Sequence, residues 1–214
     1  MEESPRFDSA YFVTGTAYAG KSTVTRLLQE KHGGILCEEN YHDRLLPGLD
    51  KKEFPCVTYT RDLTDWRDFI RRTPEEYAAW IDGAARECEI LELRILTELS
   101  GQGKPLFVDT NISLETLKRI APPGHVLVML ADPQVSVRRF FDRPDREKQF
   151  LYQLLQSEPD PDAAMENYRR GLRLINSQEK YDRFLRAGFP VILRDENRSA
   201  EETLAMAEEV FGLN

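Results

Sequence analysis

Cysteine is scarce. Cys37, Cys56 and Cys88 are the three in 214 residues, and none stands at a C-x-x-C or zinc-ligand spacing. That argues against a disulfide framework or a structural zinc site and predicts the reduced thiols of a cytoplasmic protein. Long apolar runs are missing as well, with no stretch approaching the length of a membrane-spanning helix. The opening Met1-Glu2-Glu3-Ser4-Pro5 is acidic and lacks the apolar core of a secretory signal. Positive charge is in deficit: 29 Lys and Arg against 37 Asp and Glu leave a net charge of −8. A broad surface for a nucleic acid polymer is therefore not expected. Internal repeats and low-complexity tracts are also absent. What is present is the composition of a globular protein, 41% hydrophobic and 31% charged. The length suits a single domain, residues 1–214, with a small insertion.

The most informative stretch is Gly15-Thr16-Ala17-Tyr18-Ala19-Gly20-Lys21-Ser22, which reads G-x-x-x-x-G-K-S. A short apolar run from Ala10 to Val13 precedes it, and Val24, Leu27 and Leu28 behind it share one helical face. Strand, tight loop and helix are the context this motif needs. Backbone N–H groups converging at the positive end of a helix form a nest for concentrated negative charge, as on a triphosphate. Residues Gly15 to Ser22, with Thr23 after them, are thus the candidate nucleotide-binding set. Lys21 is placed to reach the β- and γ-phosphates, and the Ser22 hydroxyl to hold Mg²⁺. With Ala17, Tyr18 and Ala19 inside it, the loop is less glycine-rich than many nucleotide-kinase loops. Whether Tyr18 leans over the phosphates or points to solvent is open at this level.

Further along, His32-Gly33-Gly34 stops the first helix, and Ile35-Leu36-Cys37 reads as a buried strand running into Glu38-Glu39. Ligands of an open parallel sheet sit beyond the carboxyl ends of its strands. Glu39, or Glu38 beside it, is therefore a candidate to accept or position the proton of an acceptor hydroxyl. Residues 43–60 look irregular, 62–72 helical, and Thr73-Pro74-Glu75-Glu76 is a capped start for a helix running to about Leu99. The excess chain at 43–81 carries Tyr59, Arg61, Trp66, Arg67, Arg71, Arg72, Tyr77 and Trp80. Taken singly these suit packing and solvated charge; as a segment they suit acceptor binding by stacking and charge. Pro105-Leu106-Phe107-Val108-Asp109 is an apolar strand closed by an acid, which makes Asp109 the candidate to order the Mg²⁺ shell. Thr110 and Asn111 stand beside it, and Ser113 caps the next helix. His125 to Ala131 is a strand buried on both faces. The helix opened by Asp132-Pro133 is expected to carry Arg138, Arg139, Arg143 and Arg146, with Pro144 interrupting it. One or more of these arginines is placed to neutralise charge on a transferring phosphate. A loop at 157–162 leads to a helix over 163–176, Gly188 to Leu193 is the last strand, and Ser199-Ala200-Glu201-Glu202 caps a closing helix. Alternating strands and helices predict a three-layer α/β domain with a five-stranded parallel sheet.

With these features in this order, the chain resembles P-loop kinases of the nucleoside-monophosphate-kinase-like class, the group of adenylate, shikimate and gluconate kinases and antibiotic phosphotransferases. The resemblance spans nearly the whole chain, and Gly15 to Ser22 is its most specific part. It implies sheet order 2-3-1-4-5, an acceptor-binding insertion at 43–81 and a lid at 138–148. It also implies ATP and Mg²⁺, and phosphoryl transfer to a small molecule such as a nucleotide, nucleoside or sugar hydroxyl. On that pattern Glu38 and Glu39 take the place of the acceptor-binding or base carboxylate. Arg138, Arg139 and Arg143 fall in the lid, and Arg194-Asp195-Glu196-Asn197 borders the adenine. The chain departs from the pattern in having Glu-Glu where D-x-D or a single Asp is common, and its insertion matches no acceptor signature. The competing reading is a nucleotide-operated switch or regulatory ATPase acting on a protein. A guanine-specific switch, however, needs an N-K-x-D that is missing here.

Overall fold

A computed structural model describes residues 6–142 and 145–213. Strand β1 (Ala10–Gly15) enters the phosphate loop, and α1 (Lys21–His32) leaves it. After β2 (Ile35–Cys37) the chain makes a 3₁₀ segment, Tyr41–Gly48, then turns, then the short α2 (Trp66–Ile70) and the long α3 (Pro74–Ser100). Next come β3 (Leu106–Asp109), α4 (Leu114–Ile120), β4 (Val126–Leu130) and α5 (Pro133–Arg138). The rest is α6 (Arg146–Gln156), α7 (Pro161–Ile175), α8 (Gln178–Leu185), β5 (Val191–Leu193) and α9 (Ala200–Phe211).

The sheet is parallel throughout, in the order β2-β3-β1-β4-β5. Strands β3 and β4 are wholly buried, as continuous apolar runs in a parallel sheet require. One face is covered by α1 and α9, where Val24, Leu28, Ala207 and Phe211 meet Val13, Phe107, Leu127 and Met129. The other face is covered by α3 and α4, through Leu96, Leu117 and Ile120 against Phe12, Leu106 and Val108. On that face α8 packs Tyr181 and Phe184 near Val128 and Leu130. Helix starts behave as their sequences dictate: Thr73 with Glu76 and Ser199 with Glu202 form reciprocal capping boxes. This is a three-layer α/β fold with the phosphate loop between β1 and α1, in the strand order the resemblance implies.

The helices depart from sequence expectation in three places. The helix expected over 62–72 is only Trp66–Ile70, because the Asp65 side chain caps at Arg67 N–H and fixes a later start. The helix opened by Asp132 ends at Arg138, and a 3₁₀ turn, Phe140–Asp142, follows it. Helix α8 had no counterpart in the sequence reading. The insertion is also not an isolated flap. Phe69, Ile70 and Tyr77 form a second core with Leu151, Leu155, Met165, Tyr168 and Leu172, so α2 and the start of α3 pack against α6 and α7.

Behind the carboxyl end of β3 lies a buried polar cluster. Glu92 on α3, 1% exposed, accepts a hydrogen bond from Thr110 Oγ1 at 2.5 Å and one from Tyr41 Oη at 3.3 Å. His42 Nδ1 stands 3.3 Å from Glu92 Oε1, off the line of a straight hydrogen bond, while its Nε2 meets Cys88 Sγ at 3.1 Å. Burial works against a charged imidazole, but the contacts with Cys88 and Glu92 outweigh it and hold His42 up at about 10. The cluster thus ties the 3₁₀ segment, α3 and the end of β3 around one buried ion pair.

Removing one member of a buried pair leaves the other uncompensated. Glu92→Gln is therefore expected to cost about 3 kcal/mol in urea unfolding at pH 7. His42 sits above its ordinary value of 6.5, so its contribution is full below that pH and lost as pH rises through about 10. Unfolding free energy followed from pH 6.5 to 10 should fall in the parent, and Glu92→Gln should lose most of that slope. An unchanged slope would show that the imidazole is neutral in the folded chain.

Candidate functional site

The loop after β1 is held open by two backbone constraints. Gly15 has φ +131°, and a Cβ there would lie 1.9 Å from the Met129 carbonyl oxygen of β4, so only glycine lets the strands come together at this point. Gly20, at φ +94°, turns the chain into the first turn of α1. Thr16 is structural: its N–H donates to Met129 O at 3.1 Å, and its hydroxyl bridges the N–H and carbonyl of Ala131. The loop rim is thereby locked to the end of β4.

Tyr18 has a positive φ of 64° and leans across the loop, its hydroxyl donating to the Arg139 carbonyl at 2.5 Å. The Arg194 guanidinium in turn donates to the Tyr18 carbonyl. The loop is thus tied to the segment after β4 and to the segment after β5. Neither contact is encoded in the local motif.

Lys21, 8% exposed, donates from Nζ to the Thr16 carbonyl at 3.2 Å and so lies along the loop it is expected to serve. Ser22 Oγ donates to Asp109 Oδ2 at 2.6 Å, which joins the first turn of α1 to the end of β3. Burial pushes the Asp109 carboxyl up, against the opposing pull of Lys21 and Ser22, and Glu39 adds to the upward push. A desolvated carboxylate beside a hydroxyl and a second acid is a place where added positive charge is favourable. Two adjacent hard oxygen donors fit a magnesium ion, which takes few protein ligands and fills its shell from water and phosphate. Among the described residues no group of three or more His, Cys, Asp or Glu offers a denser metal site.

Three openings surround this loop. A cleft of about 500 Å³ is lined by residues 17–23 with Glu39, Arg139, Asp142 and Arg194. Beside α1, a pocket of about 220 Å³ runs along Val24, Ile192 and residues 193–196 to Thr203, where the Arg194-Asp195-Glu196 loop was expected. On the opposite side, a cavity of about 470 Å³ is bounded by Gly15, Thr16, Ala17, Glu39, Asn111 and Lys180.

Glu39 therefore lines both the phosphate cleft and the opposite cavity, while Glu38, exposed on the same turn, lines neither. Arg139 faces the phosphate cleft, 3.7 Å from Asp142; Arg138 is exposed and lines none of these openings; Arg143 lies outside the described residues. The arginines of the insertion make contacts within the protein, although Arg72 Nη1 is buried without a hydrogen-bond partner among the described residues. Arg61 binds Asp62 and the carbonyls of Leu46 and Leu49, Arg67 and Arg71 meet Glu158, and Arg72 lies over Tyr59, Phe69 and Trp80. Sequence reasoning missed Asp82, Asn176, Lys180 and Tyr181 as cavity walls. Asp82, Lys180 and Tyr181 sit on helices and Asn176 just past the end of α7, all far from the motif, and only the packing of α8 brings its residues to the site.

No helix among the described residues is long and apolar enough to cross a membrane. No family model and no curated protein matches the chain. Among solved structures, the chain is similar to a dephospho-CoA kinase from Campylobacter jejuni, with 14% identity and a TM-score of 0.48, over 97% of this chain and 100% of that one. A likeness of that size leaves the assignment of chemistry to the site itself.

Proposed function

We propose that the protein is an ATP-dependent phosphotransferase acting on a hydroxyl of a small molecule. The observation that carries this reading is a phosphate loop with a cavity on each side of it, and Glu39 at the junction of the phosphate cleft with the second cavity. A switch or motor ATPase needs a nucleotide pocket alone. A transferase needs a second chamber that ends at the terminal phosphate, and the cavity bounded by Gly15, Thr16 and Ala17 suits that purpose.

In this reading the loop N–H groups and Lys21 bind the phosphates, and Lys21 lowers the barrier by stabilising charge on the transferring group. Ser22 and Asp109 would hold Mg²⁺, which supplies further charge neutralisation there. Arg139, from the segment after β4, stands on the other wall of the cleft and adds a guanidinium to the same charge. Glu39 orients the acceptor hydroxyl and takes its proton as the new O–P bond forms and the bond from the γ-phosphorus to the β–γ bridging oxygen breaks, with ADP as the leaving group. Residues 43–81 and 138–148 serve as acceptor-binding insertion and lid, and Tyr18 links loop and lid through the Arg139 carbonyl. Holding both partners in line converts an encounter in solution into a step within one complex.

Lys21→Ala is expected to reduce turnover more than a hundredfold, with unfolding and circular dichroism unchanged. The assay is transfer from γ-labelled ATP to an acceptor panel, and an active Lys21→Ala protein would sink the assignment. Glu39→Gln should lose transfer by about a hundredfold or more while Glu38→Gln stays near the parent; the reverse order would move the proton acceptor to Glu38. With fluorescent ATP, the parent should bind at least about tenfold more tightly with Mg²⁺ than with excess chelator, and Asp109→Asn should lose most of that difference. Equal binding with and without metal in the parent would argue for a ligand-binding protein without catalysis.

A further inference from the structure

Cys88 on α3 lies outside the phosphate cleft but inside the cavities beyond it. The cavity of about 470 Å³ on the far side of Glu39 abuts a second, of about 540 Å³, and the two share Asn40, His42, Ala84 and Cys88 as walls. The partly exposed Cys88 thiol is thus open to a small molecule from either side. The chain's other two thiols are placed differently. Cys37 is 2% exposed in the core beside the sheet, and burial pushes its thiol up to about 12. Cys56 lines neither cavity, and its sulfur lies so close to α3 that a Cβ on Gly83 would come within 2.5 Å of it. Burial and the Glu87 carboxylate hold the Cys56 thiol up.

The surroundings of Cys88 are of the opposite sign. His42 Nε2 stands 3.1 Å from Sγ, and the same nitrogen is 3.6 Å from Oδ1 of the exposed Asp43. On the other side of the ring, Nδ1 is 3.3 Å from Glu92 Oε1, and Glu92 is held in turn by Thr110 and Tyr41. The imidazole, 5% exposed, is therefore fixed between a buried carboxylate and a sulfur that faces two cavities. Glu92 favours the charged form of the ring. A charged imidazole beside a thiol stabilises negative charge on sulfur, and the thiolate is the form that attacks. Carboxylate, imidazole and nucleophile in succession is the general arrangement by which side chains activate a weak nucleophile.

We propose that Cys88 is a nucleophilic thiol set against the His42 imidazole, and that it captures a low-molecular-weight disulfide entering either cavity as a mixed disulfide. Sγ, as the thiolate, attacks one sulfur of the incoming molecule. A new S–S bond forms as the old one breaks, and the departing thiolate takes a proton from water. Cys88 is oxidised and the departing half is reduced, so the disulfide itself is the oxidant; a free thiol reverses the step by the same route. His42 keeps its protons throughout and acts as a positioning residue that holds charge beside Sγ. The adduct stands at the boundary of the two cavities, between Glu39 and the aromatic wall of Trp66, Phe69, Trp80 and Phe150. This goes beyond the kinase reading and does not rest on it.

The test treats the native chain with 2-hydroxyethyl disulfide at pH 7 and locates the modified cysteine by peptide mass mapping. Cys88 should form the adduct at least about twentyfold faster than Cys56, with Cys37 unmodified, and faster than free N-acetylcysteine in the same buffer. Access alone could give the first result but not the second. His42→Gln should slow Cys88 by about tenfold or more and leave Cys56 as it was. Faster reaction of buried Cys37 would report that this variant had opened, and the comparison with N-acetylcysteine in the parent then decides. The chain's two tryptophans, Trp66 and Trp80, both line the larger cavity. Their emission should change as the adduct forms, return with dithiothreitol and stay constant in Cys88→Ser. A smaller lead over Cys56, a rate below that of N-acetylcysteine, an unchanged Cys88 rate in folded His42→Gln, or an adduct without an emission change would each overturn the inference.

Discussion

The constraint on which the site depends is the approach of Gly15 to the Met129 carbonyl. A phosphate nest works by aiming several N–H groups at one point, and it can do so only if the chain leaves the strand in a conformation closed to side chains. With Gly15 against β4, Thr16 can bridge both backbone groups of Ala131, and the loop becomes a rigid extension of the sheet. That rigidity is what gives the 2.6 Å contact between Ser22 and Asp109 its meaning. Two residues 87 apart in sequence meet because β1 and β3 are neighbours in register, Val13 opposite Asp109. Strand order, not local sequence, delivers the acid to the loop.

A second layer of constraint lies behind the first. Glu92 is buried a few residues from the middle of α3, where an unpaired carboxylate would be costly. It is tolerated because Thr110, Tyr41 and His42 surround it, and each comes from a segment that borders the acceptor side. Thr110 follows Asp109 directly, so the carboxylate fixes the backbone at the point where β3 ends. His42 belongs to the turn that carries Glu39. The cluster therefore spaces the strand-end acid and the turn bearing the candidate base relative to one another, although it touches neither phosphate nor loop.

The fold was legible because its signals are local and periodic. The loop motif, the apolar strands at 35–37, 105–109 and 125–131, and the capping boxes at Thr73 and Ser199 each declare themselves within a few residues. Where competing local chemistry decided the outcome, boundaries moved, as at the Asp65 cap of α2. The phosphate-loop side of the candidate site was legible for the same reason. The cavities beyond Glu39 were not, because they are built by contacts between distant segments: α8 brings Lys180 to Asp82, and Trp66 meets Phe150. The arginines between 61 and 72 suited packing or solvated charge taken singly and acceptor binding only as a segment. Three-dimensional packing gives Arg61, Arg67 and Arg71 internal partners that no spacing rule reaches.

The two halves also differ in how they hold charge. On the donor side, cations gather without carboxylate neighbours close enough to cancel all of them: Lys21 in the loop, Arg139 beyond α5 and Arg194 beyond β5. On the other side, Lys180 has Asp82 beside it and His42 has Glu92 behind it, Arg146 stands in the wall of the far cavity, and aromatic surface takes much of the rest. The two environments touch at Glu39, which lines both the cleft and the cavity beyond it, and this is where the proposed reading places the transfer step.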